Sequence, residues 1–188
     1  MRDFSRLLQL QPGDRVIDLG GSASIWEHVK VPLVITIVNL PGAEISKTPV
    51  GPHQFTFLEG DATALEDLED NSFDVAFSNS CIEHVGGLEK QSAFATEVRR
   101  LAPKYYVQTP SIIFPLEVHT GLPFWWFYPP ALKRVIIQRW RKTIPAWCEM
   151  IEGTTVLTQR QIKKHFPDGD IVTERILGVP KSYATFRA

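Results

Sequence analysis

Cysteine is scarce: Cys81 and Cys148 are the two in 188 residues. That is too few for a disulfide framework or a cysteine-based zinc site, and free thiols in a reducing compartment follow. Net charge is almost absent too, since 20 basic and 21 acidic side chains sum to −1. There is no global field to hold nucleic acid, so no nucleic-acid partner is expected and any basic surface has to be local. Long apolar runs are missing. No window offers the roughly 18 consecutive apolar residues of a membrane span. The stretch Met1-Arg2-Asp3-Phe4-Ser5-Arg6 lacks the apolar core of a secretory signal. A cytoplasmic location is the expectation. Repeats and low-complexity tracts are lacking as well. What is present, 44% hydrophobic and 22% charged residues, is the make-up of a soluble globular chain. The length suits a single domain over 1–188 with a sizeable core.

The chain alternates strand and helix signals. Residues 3–9 read as a short helix, with Phe4, Leu7 and Leu8 on one face, and Pro12-Gly13-Asp14 as a turn. Arg15–Leu19 reads as the first strand, with a short helix following to about residue 30. Leu33–Asn39 is β-branched and almost wholly apolar, as a parallel strand buried on both faces should be. Three prolines and two glycines make 40–54 a loop, and further strands are expected at 55–58, 73–78 and 105–109. The segment 62–69 is helical or a tight turn. Residues 87–101 have helical spacing at Leu88, Phe94, Val98 and Leu101, and Pro103 stops that helix. Helices are expected at 131–144 and from a Thr158 cap to Phe166. Two strands, 170–177 and 182–186, then flank Gly178-Val179-Pro180 and would pair as an antiparallel edge hairpin. Such alternation argues for βαβ units and a parallel sheet, with ligands bound beyond the carboxyl ends of the strands.

The polar strand ends carry the motifs. Val16-Ile17-Asp18-Leu19-Gly20-Gly21-Ser22-Ala23-Ser24 is a strand, an acid and a turn of small residues that lets backbone N–H groups approach a ligand. Asn39-Leu40 ends the second strand, and Glu59-Gly60-Asp61-Ala62 ends the third. Phe73 to Val85 reads FDVAFSNSCIEHV, and Thr109-Pro110-Ser111 is followed by Phe114-Pro115-Leu116-Glu117-Val118-His119. In this order and at these spacings the segments resemble class I S-adenosylmethionine-dependent methyltransferases of the type 11 group, from about Arg15 to His119. The resemblance implies an α/β Rossmann-like methyltransferase fold. Its sheet would be mostly parallel and seven-stranded, with an antiparallel C-terminal edge hairpin and helices on both faces. It also implies S-adenosyl-L-methionine as cofactor, with Asp18, Gly20, Gly21 and Ser22 at its amino-acid end, Asn39 and Leu40 at the ribose, and Asp61 and Ala62 at the adenine. Asn79 and Ser80 would line it by backbone. A nicotinamide dehydrogenase fits worse, because Gly20-Gly21-Ser22 does not give G-x-G-x-x-G.

Three positions leave the family pattern. Ser22 and Ser24 stand where glycines are usual, and Asn39 stands where an acid is usual, with Glu44 as a substitute for that acid. A methyl sulfonium is already activated, so transfer needs in-line placement of the acceptor and a base if the acceptor is protonated. His84 and His119 are the candidate bases, with Glu83 beside them; the bland alternative is that Glu83-His84 completes a turn and starts a helix. Some relatives hold a divalent ion with an acid three residues before the Glu-His pair. Ser80 is at that position here, and no metal is expected. Cys81 reads as a small buried residue.

Residues 120–150 form an aromatic and basic lid-like insertion. Leu132, Ile136 and Trp140 share a helical face with Val135, while Lys133, Arg134, Arg141 and Lys142 lie elsewhere. The expectation is a lid with its apolar face on the sheet. The rival is a peripheral membrane contact through 131–144. The functional expectation is methyl transfer to an O or N atom of a small-molecule or glycan-type acceptor. The alternatives are a cofactor-binding module without transfer, and a methyltransferase acting on RNA or a lipid-linked substrate.

Overall fold

The computed structural model describes residues 1–43, 48–116 and 120–188. Seven strands form one sheet: β1 Arg15–Leu19, β2 Val34–Asn39, β3 Gln54–Glu59, β4 Val75–Asn79, β5 Lys104–Pro110, β6 Asp170–Ile176 and β7 Val179–Arg187. Their order is β3-β2-β1-β4-β5-β7-β6. The first five are parallel, β7 runs antiparallel to β5, and β6 closes the edge as a hairpin with β7. Strand order reverses between β1 and β4, so their carboxyl ends diverge into a crevice where ligands bind in such sheets.

The helices are α1 Arg2–Leu8, α2 Leu88–Leu101, α3 Pro130–Trp140, α4 Pro145–Gly153 and α5 Gln159–His165. Alternation along the strands splits the core into two layers. On one face Ile17, Ala76 and Tyr105 meet Phe94 and Val98 of α2 and Ile162 of α5. On the other, Val16, Phe77 and Tyr106 meet Phe4 and Leu8 of α1 and Trp26. Phe4 is wholly buried and sits edge-to-face with Trp26, Phe77 and Tyr106 at 4.7–5.7 Å between ring centroids.

Several local expectations resolve differently. After β1 the chain makes a 3₁₀ helix at Ala23–His28 and no α-helix. Its end is held by His53, whose Nε2 lies 3.1 Å from Trp26 O and 3.0 Å from Val29 O. Residues 62–69 are turns, one of the two readings expected there. Thr158 does cap α5, through a reciprocal box with Gln161. Leu88 is 54% exposed at the first position of α2, where no neighbouring turn covers it. The helix expected over 131–144 ends at Trp140 as α3, and after a turn Pro145 opens a separate helix, α4, that was not expected. The apolar face of α3 does not lie on the sheet. That helix packs chiefly on α4 and buries no residue fully.

Candidate functional site

At the end of β1 the backbone turns at Gly20 (φ +78°), whose N–H donates to Val38 O at 2.9 Å. A Cβ at Gly20 would lie 2.5 Å from Cys81 Sγ, and one at Gly21 would lie 1.9 Å from Asp18 Oδ2. Neither position admits a side chain. Ser22 is different: its φ of −138° is extended backbone that any residue adopts, and its hydroxyl pairs with that of Ser24 at 2.9 Å. Serine is therefore accommodated at this position without strain.

Asp18 is wholly buried behind this turn. Its Oδ2 accepts from Trp26 Nε1–H at 2.8 Å, and its Oδ1 has no partner among the described residues. Burial pushes its pKa up to about 7, with the Trp26 bond opposing the shift. The acid lines neither of the cavities described next and braces the turn from inside.

A cavity of about 290 Å³ opens over the turn, lined by Gly20, Asn39, Leu40, Asp61, Ala62, Ser80, Cys81 and His84. Asn39 Nδ2 donates to Gly21 O at 3.0 Å, which leaves Oδ1 as its acceptor. A carboxylate could not make that donation. Asp61 Oδ1 accepts from the backbone N and the hydroxyl of Thr63 at 2.8 and 2.7 Å, and Lys90 Nζ reaches Oδ2 at 3.2 Å. The Thr63 bonds, with the Lys90 cation, hold its pKa below the usual carboxylate value. Burial pushes the Cys81 thiol up to about 12, so it is no nucleophile at neutral pH.

His84 lies on the rim of this cavity with Nδ1 3.2 Å from Thr154 Oγ1. The Thr154 hydroxyl donates to Met150 O at 2.7 Å, so its oxygen is the acceptor for Nδ1–H. In the neutral ring that assignment puts the lone pair on Nε2. Glu83 is wholly buried, and its Oε2 accepts from the Thr109 hydroxyl at 3.0 Å. Its carbonyl also accepts from Thr155 N–H at 2.7 Å, which ties the β4 exit to the chain after α4. Glu83 lines neither cavity. His119 and Glu44 lie outside the described residues.

A larger cavity of about 600 Å³ adjoins the first. Ser80 lines both, in a left-handed turn (φ 57°), with its hydroxyl 3.1 Å from Gln108 Oε1. Alternation along adjacent strands builds the floor. Phe77 and Asn79 of β4 lie in register with Tyr106 and Gln108 of β5, and Ser182 of β7 pairs with Glu174 of β6. Met1, Arg2 and Asp3 of the N-terminal helix form one wall, and Phe114, Leu116 and Trp126 another. The sequence reading missed the floor and the α1 wall. The period-two pattern in β4, β5 and β7 was the signal that could have found the floor. No signal marked α1 as a wall. Asn79, expected to line the cofactor by backbone, lines this larger cavity. Among the described residues no three metal-ligating side chains cluster.

A family profile described as a methyltransferase domain matches residues 17–104. Similar solved structures include an S-adenosylmethionine-dependent methyltransferase from Methanosarcina mazei (16% identity, TM-score 0.54), with 94% of this chain aligned to 92% of that one. Phosphoethanolamine N-methyltransferase 2 of Haemonchus contortus, solved with phosphomonomethylethanolamine and S-adenosylhomocysteine, aligns at 15% identity and TM-score 0.59. That match covers 92% of this chain and only 37% of the nematode protein. A putative methyltransferase of Haloferax volcanii, in complex with the activator Trm112, aligns at 13% identity and TM-score 0.59, over 97% and 87% of the two chains. At these identities the structures speak for the fold. No curated protein matches in sequence.

Proposed function

We propose that this chain, whose residues 17–104 match a methyltransferase domain profile, is an S-adenosylmethionine-dependent methyltransferase that methylates an O or N atom of a small-molecule or glycan-type acceptor. The observation that carries the reading is the pair of cavities meeting at Ser80, one over the glycine turn and one with a polar floor.

The residues present suit the cofactor. The turn at Gly20 and Gly21 excludes side chains and offers backbone at close range. Asn39 Oδ1 is an acceptor suited to a ribose hydroxyl, and the Asp61-Ala62 segment supplies the acceptors an exocyclic amine needs. The cofactor supplies a methyl group already activated on sulfonium, so the chain's task is placement and proton removal. Asn79, Gln108, Ser111 and Ser182 offer donors and acceptors along the larger cavity, with the Trp126 ring as an apolar wall. Such a mix suits a polyhydroxylated ring with one apolar face. His84 would take the acceptor's proton on Nε2, with Thr154 fixing the ring and its tautomer. Glu83 would act only by anchoring the loop.

A methyl-release assay over pooled sugars and hydroxylated metabolites tests the reading. Acceptor-dependent formation of S-adenosylhomocysteine supports it. Calorimetric binding of the cofactor with no turnover on any pool would leave a binding module and overturn it.

A further inference from the structure

Residues 120–148 contain Lys133, Arg134, Arg139, Arg141 and Lys142 and not one Asp or Glu. In a chain of net charge −1 this is a concentrated basic tract. Arg141 is paired with Glu152, and Lys133 turns inward, with Nζ 5.5 Å from the ring centroids of both Trp125 and Trp126. Arg134, Arg139 and Lys142 are exposed and have no acidic partner among the described residues. Between these cations lie apolar side chains that face water. On α3, Leu132 and Val135 are 45% and 48% exposed, one turn apart on the outer face with Arg139 beside them, and exposed Arg134 flanks that face on the side of Arg141 and Glu152. Phe124 and Phe127 before the helix and Trp147 after it are similarly open. The inner side of α3 is fixed differently, by Trp140 stacked on buried Trp125 and by α4. No helix among the described residues is long and apolar enough to cross a membrane.

We infer that this outer face of α3, with its flanking aromatics, seats the protein on the surface of a bilayer containing anionic lipid. The cations complement the lipid phosphates, and the apolar side chains enter the headgroup boundary. Phosphate on a nucleic acid would satisfy only the cations and leave Leu132, Val135 and Phe127 in water. The surface is continuous with the larger cavity: Leu116 and Trp126 line that cavity, Leu116 bridges Pro123, and Phe124 N–H donates to Pro115 O at 2.7 Å. A seated protein would therefore present its acceptor cavity close to the bilayer.

The test is co-sedimentation of the intact chain with vesicles of phosphatidylcholine alone and of phosphatidylcholine containing about a third phosphatidylglycerol, at low and high salt. Binding is expected to the anionic vesicles only, and to be lost at high salt. Arg134→Gln/Arg139→Gln should lower the partition coefficient about thirtyfold, at roughly fivefold per cation. Leu132→Ser/Val135→Ser should lower it about tenfold or more with all cations kept. Both pairs are exposed, and an unchanged thermal midpoint confirms folding. Absence of binding to anionic vesicles at low salt overturns the inference. So does vesicle binding indifferent to both variants, or retention by duplex RNA without retention by vesicles. The readout involves no turnover, so its failure leaves the methyl-transfer reading untouched.

Discussion

Asn39→Asp restores the acid usual at the end of the second strand, and the structure predicts that it does harm. From the sequence alone the change should strengthen the cofactor grip, since a charge-assisted hydrogen bond contributes about 1.5–3 kcal/mol. The geometry reverses that sign. Asn39 Nδ2 donates to Gly21 O at 3.0 Å in a partly buried position. Aspartate has no donor there, so a carboxylate oxygen would face a carbonyl oxygen and both would lose their partner. Leaving such groups unsatisfied costs about 1–3 kcal/mol. A charged acceptor gains only the difference between a charged and a neutral bond to ribose, about 1 kcal/mol. The expected result is a variant destabilised by about 1–3 kcal/mol in urea titration without ligand. With the Gly21 carbonyl no longer held, the free turn is less pre-organised, and S-adenosylhomocysteine should bind about fivefold more weakly by calorimetry, a loss of about 1 kcal/mol. Tighter binding with an unmoved urea midpoint would refute the argument and return Asn39 to the role of a weakened acid.

The buried Asp18 sets a pH dependence. Burial holds its folded pKa at about 7, above the ordinary aspartate value of 3.8, so the protonated acid is the form that folding favours. Its contribution is fully present below the unfolded pKa and is lost as pH rises through about 7. The span of about three pKa units corresponds to about 4 kcal/mol. Asp18→Asn should flatten that fall in urea titrations between pH 4 and about 8, and parallel profiles for variant and wild type would refute it. Thr154→Val removes the acceptor of His84 Nδ1–H. It should lower kcat about tenfold and move the acidic limb of the kcat profile, with little change in cofactor binding; an unchanged kcat and profile would remove Thr154 as the group that orients His84. Trp126→Ala should raise KM for the acceptor several-fold and leave S-adenosylhomocysteine affinity alone, because Trp126 lines the larger cavity only. Phe4→Ala should cost about 3–5 kcal/mol by calorimetry, given its full burial among three rings.

What was legible in the sequence followed from local rules. Val34–Asn39 is β-branched and bounded by turns, so it read as a buried strand. Thr158 with Gln161 three residues later is a capping box, so the start of α5 was readable. Gly20 and Gly21 were readable as a turn that excludes side chains. The roles of individual polar groups were not, because they are decided by partners far away in sequence. Asn39 meets Gly21, Glu83 meets Thr109, and His84 meets Thr154, which is 70 residues on. Nor did helical spacing reveal the seat of α3. Leu132, Val135, Ile136 and Trp140 are periodic, but periodicity says only that a face is apolar and not what lies against it.

The uneven cover of the sheet connects these observations. One face carries α2 and α5. Among the described residues the other carries α1, a helix of seven residues, and the 3₁₀ turn of Trp26, together shielding Val16, Phe77 and Tyr106. Had a longer helix followed β1, it would have covered the floor that Asn79, Gln108 and Ser182 now open to the larger cavity. Short elements also make large side chains carry the packing, so Phe4 and Trp26 fill what a second helix would have filled. Trp26 in turn holds the acid behind the glycine turn. Core packing on this face and the shape of the cofactor turn therefore depend on the same ring. A substitution at Trp26 should disturb both together, whereas one at Phe166, on the opposite face, should cost stability and leave the turn intact.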